Sequence, residues 1–172
     1  TVPGLETRPM PGGGWLLAGA ALCGGRAYAL LADFFAQTAR MMGMDTNAPY
    51  AAMEGLLKSA GRPEDVPTVL PLFEGTRQNS TQTGSITGLT AENFTPLHLI
   101  YGMMDGMARE LHQMYQAYRA AGGTAKKLIG SGGGLRNNRF LCESFSRAFD
   151  SEITLSDGRE EAACGAALYA AD

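Results

Sequence analysis

The chain has 172 residues, 45% of them hydrophobic, which suits one ordinary domain with a core of its own. Only 18% are charged and the net charge is -3, which excludes a strongly basic nucleic-acid face and a polybasic membrane anchor. Cys23, Cys142 and Cys164 form no CxxC pair, and two histidines are a poor basis for a zinc site, so reduced thiols in a cytoplasmic protein are expected.

The chain begins at Thr1 rather than Met, which reads as processing or as a piece of a longer protein. Residues 1–14 are rich in Pro and Gly and are expected to be extended. The apolar run Trp15 to Leu22 before Cys23 imitates a lipoprotein signal. It lacks a basic leader beyond Arg8, and bulky Leu22 stands where cleavage needs a small residue. The run is read as a buried strand, and no stretch reaches the length of a membrane span.

Gly24-Gly25 opens a helical stretch to about Met44, with Leu30, Leu31, Phe34, Phe35, Ala39 and Met42 at helical spacing. A second helix is expected over Tyr50–Ala60, stopped by Gly61 and Pro63. Val66 to Phe73 holds Pro67 and Pro71, so it is at most an edge strand. A segment rich in Gly, Thr, Ser and Asn follows, from Glu74 to Thr90.

Leu97, Ile100, Met104, Met107, Leu111, Met114 and Tyr118 then alternate spacings of three and four, the mark of a helix with one core face. Thr95 can cap it, Pro96 suits its first position, and Gly122-Gly123 ends it. Gly102 and Gly106 each weaken such a helix by roughly 1 kcal/mol against Ala, so their expected use is to admit another backbone. His98 and His112 are too far apart along it to share a metal ion.

The last third repeats a strand–turn–helix rhythm. A strand over Lys126–Gly130 is followed by a tight turn over Ser131–Arg136 and a helix over Asn137–Phe149. A strand over Ile153–Leu155 is followed by a helix over Arg159–Ala171, opened by an Asp157/Glu160 capping box. Ala162, Ala163, Ala166 and Ala167 around Gly165 predict that this last helix packs tightly. Alternating strands and helices predict an α/β layer architecture.

The chemistry-bearing segment is Gly130-Ser131-Gly132-Gly133-Gly134-Leu135-Arg136-Asn137-Asn138. Glycines between a strand and a helix permit positive φ and let a ligand lie on bare backbone. The following helix, read as beginning near Asn137, offers unpaired N–H groups to phosphate. A dinucleotide fingerprint fails because Leu135 stands where the third glycine belongs, and no Gly-Lys-Ser/Thr ending of a P-loop exists. For the triplet alone, a glycine-rich turn with no ligand is an equal alternative.

The order Gly132-Gly133-Gly134, two residues, Asn137, helix, strand, then Glu160-Glu161-Ala162-Ala163-Cys164-Gly165-Ala166-Ala167 resembles the C-terminal signature of FGGY carbohydrate kinases. Upstream, Phe73-Glu74-Gly75-Thr76-Arg77 and Gly84-Ser85-Ile86-Thr87-Gly88-Leu89 resemble the family's Phe-x-Gly-x-Arg and Gly-x-x-x-Gly-Leu segment. Cys142 stands where many members carry Gln, and Asn79 where Pro is common.

The resemblance implies an α/β, ribonuclease-H-like fold of the actin and hexokinase kind, present as a partial C-terminal domain over residues 15–172 after the 1–14 lead-in. It implies ATP and Mg²⁺ as cofactors, ATP/ADP and a sugar as partners, and neither nucleic acid nor membrane. By residue-level match, Gly132, Gly133 and Gly134 would line phosphate and ribose and Asn137 would face the base. Glu160 and Gly165 match supporting positions, and Arg77 either meets phosphate or makes a structural ion pair.

The family keeps its sugar pocket and aspartate base in the N-terminal domain, so this chain is expected to carry no catalytic residue and to be inactive alone. The implied activity is transfer of the ATP γ-phosphoryl group to a sugar hydroxyl. The Gly75-Thr76-Arg77 and Ser131–Gly134 patterns resemble sedoheptulokinase-like members most, with xylulokinases next. Two other readings remain: another nucleotide-dependent protein of the superfold, such as a hydrolase or chaperone, and a non-catalytic sensor or scaffold.

Overall fold

The computed structural model describes residues 2, 4–45, 47–158 and 160–171. They fall into two compact units, one of Ala21–Glu110 and one of Thr1–Ala20 with Leu111–Asp172.

The Ala21–Glu110 unit is built on helices α1 (Gly24–Met41), α2 (Pro49–Ala60) and the first half of α3 (Pro96–Ala120). Helix α1 buries Ala27, Leu31, Ala32 and Ala36, whereas Phe34 is 54% exposed and Met42 60%. The buried stripe is therefore rotated toward three alanines beside Leu31, and α2 buries Met53 and Leu57. Strand β3 (Thr68–Leu70) pairs antiparallel with β4 (Ser85–Thr87), the edge strand its prolines allow.

Helix α3 carries the densest burial, from Ile100 through Ala108. Its N-cap follows the sequence expectation: the His98 N–H donates to Thr95 Oγ1 at 3.5 Å, and Pro96 opens the helix. The two glycines also serve as expected. A Cβ on Gly102 would fall 2.9 Å from the Pro67 carbonyl oxygen, and one on Gly106 would fall 2.5 Å from that of Val69. Only bare backbone lets β3 lie this close.

In the other unit, β1 (Glu6–Pro9) and β2 (Trp15–Ala18) form an antiparallel hairpin with Thr7 opposite Leu17. The expectation of a buried strand over Trp15–Leu22 fails here. Trp15 is 72% exposed and Leu16 47%, because β2 pairs with β1 alone and has no second strand along its other edge.

Strands β5 (Leu128–Gly130) and β6 (Ile153–Leu155) pair in parallel, Leu128 opposite Ile153, with Ser156 N–H extending the ladder to Gly130 O at 2.9 Å. The crossover between them contains two helices, α4 (Gly133–Asn137) and α5 (Arg139–Phe149), where one over Asn137–Phe149 was expected. Asn138 breaks them: its backbone is extended, and its Oδ1 accepts the Leu141 N–H at 3.1 Å as the cap of α5. Phe149 then packs against His112 and Tyr115 of α3, with ring centroids 5.0 and 5.4 Å apart.

Helix α6 (Glu161–Ala171) closes the chain, and the expected start at Arg159 lies outside the described residues. The expectation that it packs tightly also fails, since none of its described residues is buried. Its alanines supply helix propensity but little apolar area.

Candidate functional site

The parallel β5–β6 ladder ends at Gly130, the point from which the glycine turn is suspended. Gly130 itself is buried, and a Cβ there would meet Ile153 Cγ2 at 2.8 Å. Ser131 and Gly132 then reverse the chain. Gly132 has φ 94° and ψ 158°, a conformation almost confined to glycine, and its carbonyl accepts the Arg136 N–H at 3.2 Å. Its successors Gly133 and Gly134 form the first turn of α4.

All three glycines are exposed. A Cβ on Gly132 would meet nothing within 4 Å, one on Gly133 only Asn137 Nδ2 at 3.8 Å, and one on Gly134 only Leu141 Cδ2 at 3.8 Å. The structure thus brings Gly132, Gly133, Gly134 and Asn137 together: the Asn137 amide stands over the Gly133 backbone, and the surface in front is open.

One part of the expected chemistry changes. The helix that leaves the turn has only five residues, so its summed peptide dipole is small, and the longer α5 already has its N-terminus capped by Asn138. What the turn offers an anion is the free N–H groups of its glycines. Arg77 lies in the other unit, in the loop between β3 and β4.

Sequence reasoning missed the group that supports the turn. Arg136 Nη2, on the last turn of α4, donates to Ser156 Oγ at 2.9 Å and to Glu161 Oε1, and Ser156 Oγ donates to the same carboxylate. The Ser156 hydroxyl, with further help from backbone and the Arg136 charge, holds the Glu161 carboxyl below its ordinary value. The visible signal was the acidic pair Glu160-Glu161 opening α6, of which the capping-box pattern selected the wrong member.

Cys142 Sγ lies 3.1 Å from the Leu135 carbonyl oxygen, and burial pushes its thiol pKa up. Among the described residues, no three His, Cys, Asp or Glu side chains converge as a metal-binding group. No helix there is long and apolar enough to cross a membrane.

The model of the FGGY family of carbohydrate kinases, C-terminal domain, matches residues 2–171. The chain belongs to the FGGY family of carbohydrate kinases. It is 23% identical over 154 residues to a sedoheptulokinase of Mus musculus, covering 90% of this chain and 32% of that protein. Against the Homo sapiens sedoheptulokinase it is 25% identical over 156 residues, with the same coverages of 90% and 32%. The chain therefore spans about a third of the length of the curated relatives it matches.

Among solved structures, the xylulose kinase of Rhodospirillum rubrum superposes with a TM-score of 0.78 at 23% identity, covering 98% of this chain and 33% of that one. A glycerol kinase of Plasmodium falciparum, solved with ADP, gives 0.67 at 19% identity, covering 90% and 29%. The FGGY C-terminal domain is thus matched in fold as well as in sequence, and the expected α/β, ribonuclease-H-like class of the actin and hexokinase superfold holds.

Proposed function

We propose that residues 15–172 are the nucleotide-binding domain of an ATP-dependent ketose kinase, and that the glycine turn after β5 is where ATP lies. The observation that carries this reading is the open backbone at Gly132–Gly134, with the Asn137 amide beside it. Gly133 and Gly134 would present N–H groups to phosphate, and Asn137 would hydrogen-bond the base or ribose. A glycerol kinase of similar fold that was solved with ADP is consistent with this.

The family's chemistry is phosphoryl transfer to a sugar hydroxyl, which depends on holding both substrates in line. Sedoheptulose is the first candidate acceptor, because both curated relatives are sedoheptulokinases, and xylulose is the second. The aspartate base and the sugar pocket would belong to the other domain of the kinase. The described residues give Mg²⁺ no three-ligand protein site, so the ion would arrive with the nucleotide's phosphates.

The test is ATP titration of the kinase that carries this domain and of its Gly133→Val variant. Gly133 has negative φ and open space around it, so Val is compatible with the fold while blocking approach to backbone. A sharply raised Kd at unchanged melting temperature is expected. Unchanged affinity would remove the turn as the site. Separately, this chain alone with MgATP and a panel of ketoses should yield no sugar phosphate, and sugar-dependent ADP release would overturn the division of labour.

A further inference from the structure

The short helix α4 carries two of the three glycines and Asn137, yet five residues cannot hold their own orientation. Three things hold it. Gly132 fixes its start, Asn138 fixes its end by capping α5, and Leu135 packs inward over Gly130, 3.0 Å from where a Cβ would sit. None of these limits rotation of α4 about its own axis as firmly as a contact on its flank.

Arg136 makes that contact. Its Nη2 meets Ser156 Oγ at 2.9 Å and the Glu161 carboxylate, and only 21% of its side chain is exposed. Ser156 is the residue whose N–H closes the β5–β6 ladder on Gly130, and Glu161 is the first residue of α6. One guanidinium thus joins α4, the end of β6 and the start of α6 by charge-assisted hydrogen bonds. Arg136 and Asn137 are adjacent, so turning one side chain inward to this network leaves the other facing out, beside Gly133.

We infer that Arg136, Ser156 and Glu161 form a positioning clamp that sets how the Gly133–Gly134 backbone and the Asn137 amide face ATP. None of the three would touch the nucleotide. They act by fixing α4, as outer partners fix ligating side chains elsewhere. The inference rests on the proposed placement of ATP at the glycine turn.

The experiment uses the kinase that carries this domain, with Arg136→Met, Arg136→Lys, Glu161→Gln and the exchanged pair Arg136→Glu with Glu161→Arg. Each is titrated with ATP, titrated with sugar and melted, beside Gly133→Val. Arg136→Met and Glu161→Gln should raise the ATP Kd roughly tenfold, the scale of a modest misplacement of binding groups. Sugar affinity should stay at the parent value, and the exchanged pair should recover most of the ATP affinity.

Parental ATP affinity in Arg136→Met, or a lowered melting temperature with no change in Kd, overturns the clamp. Should Arg136→Met fail to fold, Glu161→Gln decides: it removes the charge that Nη2 pairs with while keeping the side chain's size, so a parental Kd there overturns the clamp equally. If Gly133→Val weakens ATP and the Arg136 variants do not, the clamp alone is wrong. If neither weakens it, the nucleotide site is wrong as well.

Discussion

Arg62 and Asp105 form a two-pronged ion pair, Nη1 to Oδ1 at 3.1 Å and Nη2 to Oδ2 at 2.5 Å, between the segment after α2 and the middle of α3. The Tyr101 ring lies under the same guanidinium, 5.1 Å from its Cζ. Both side chains are mostly buried, with 25% and 16% exposed. Removing one partner strands the other away from water. Asp105→Ala should therefore cost about 2–3 kcal/mol of stability, read from urea denaturation, while Arg62→Met with Asp105→Leu together should cost much less.

The glycines of α3 make a second, opposite pair of expectations. Gly106→Ala puts a methyl 2.5 Å from the Val69 carbonyl oxygen and 3.2 Å from Pro71 Cδ, so it must push β3 off the helix. It should destabilise by more than about 1 kcal/mol, although alanine is the better helix former. Gly55→Ala in α2 meets nothing within 4 Å and should stabilise by about 0.4–1 kcal/mol. Thermal melts of the two variants side by side decide whether close approach sets the sign.

Adjacent Asn137 and Asn138 separate ligand recognition from capping. Asn138 accepts the Leu141 N–H, so Asn138→Ala should cost about 1 kcal/mol of stability and leave ATP affinity nearly intact. Asn137 ends α4 with its amide beside Gly133, so Asn137→Ala should weaken ATP by roughly 0.5–1.5 kcal/mol with a smaller effect on melting. Equal affinity losses in the two variants would show that Asn137 has no private role.

Glu110 predicts a pH effect. Burial raises its pKa above 4.5, and its Oε2 has no hydrogen-bond partner among the described residues. The folded state thus holds this proton more tightly than the unfolded chain does. Its contribution is most favourable below pH 4.5 and is lost as the pH rises through the folded pKa. Glu110→Gln should come closest to the parent in the acid range and exceed it at neutral pH, by denaturation in both. A variant less stable than the parent at neutral pH would refute the sign.

Helix α3 was legible almost to the residue because its signals are local: a capping Thr95, Pro96 beside it, a three-four apolar rhythm and terminal glycines. The glycine turn was legible for the same reason, as a run between a strand and a helix. Burial of Trp15–Ala18 was not, since an apolar run does not record what covers it. The break at Asn138 was hidden because two neighbouring asparagines give the same capping signal, and only backbone geometry chooses between them. Arg136 and Glu161 were invisible as partners: they are 25 residues apart, and their meeting depends on the parallel pairing of β5 with β6.

Helix α6 has a further consequence for how the molecule breathes. Its backbone bonds lie under no buried side chain, so it can open without disturbing the β5–β6 ladder behind it. Amide deuteration should reach Ala162–Ala171 through local fraying, in contrast to Ile100–Ala108, whose amides sit in the buried half of α3 and wait for their whole unit to unfold. Since Glu161 is the first residue of α6, the rate at which that helix frays is also the rate at which the Arg136 network is tested from one end.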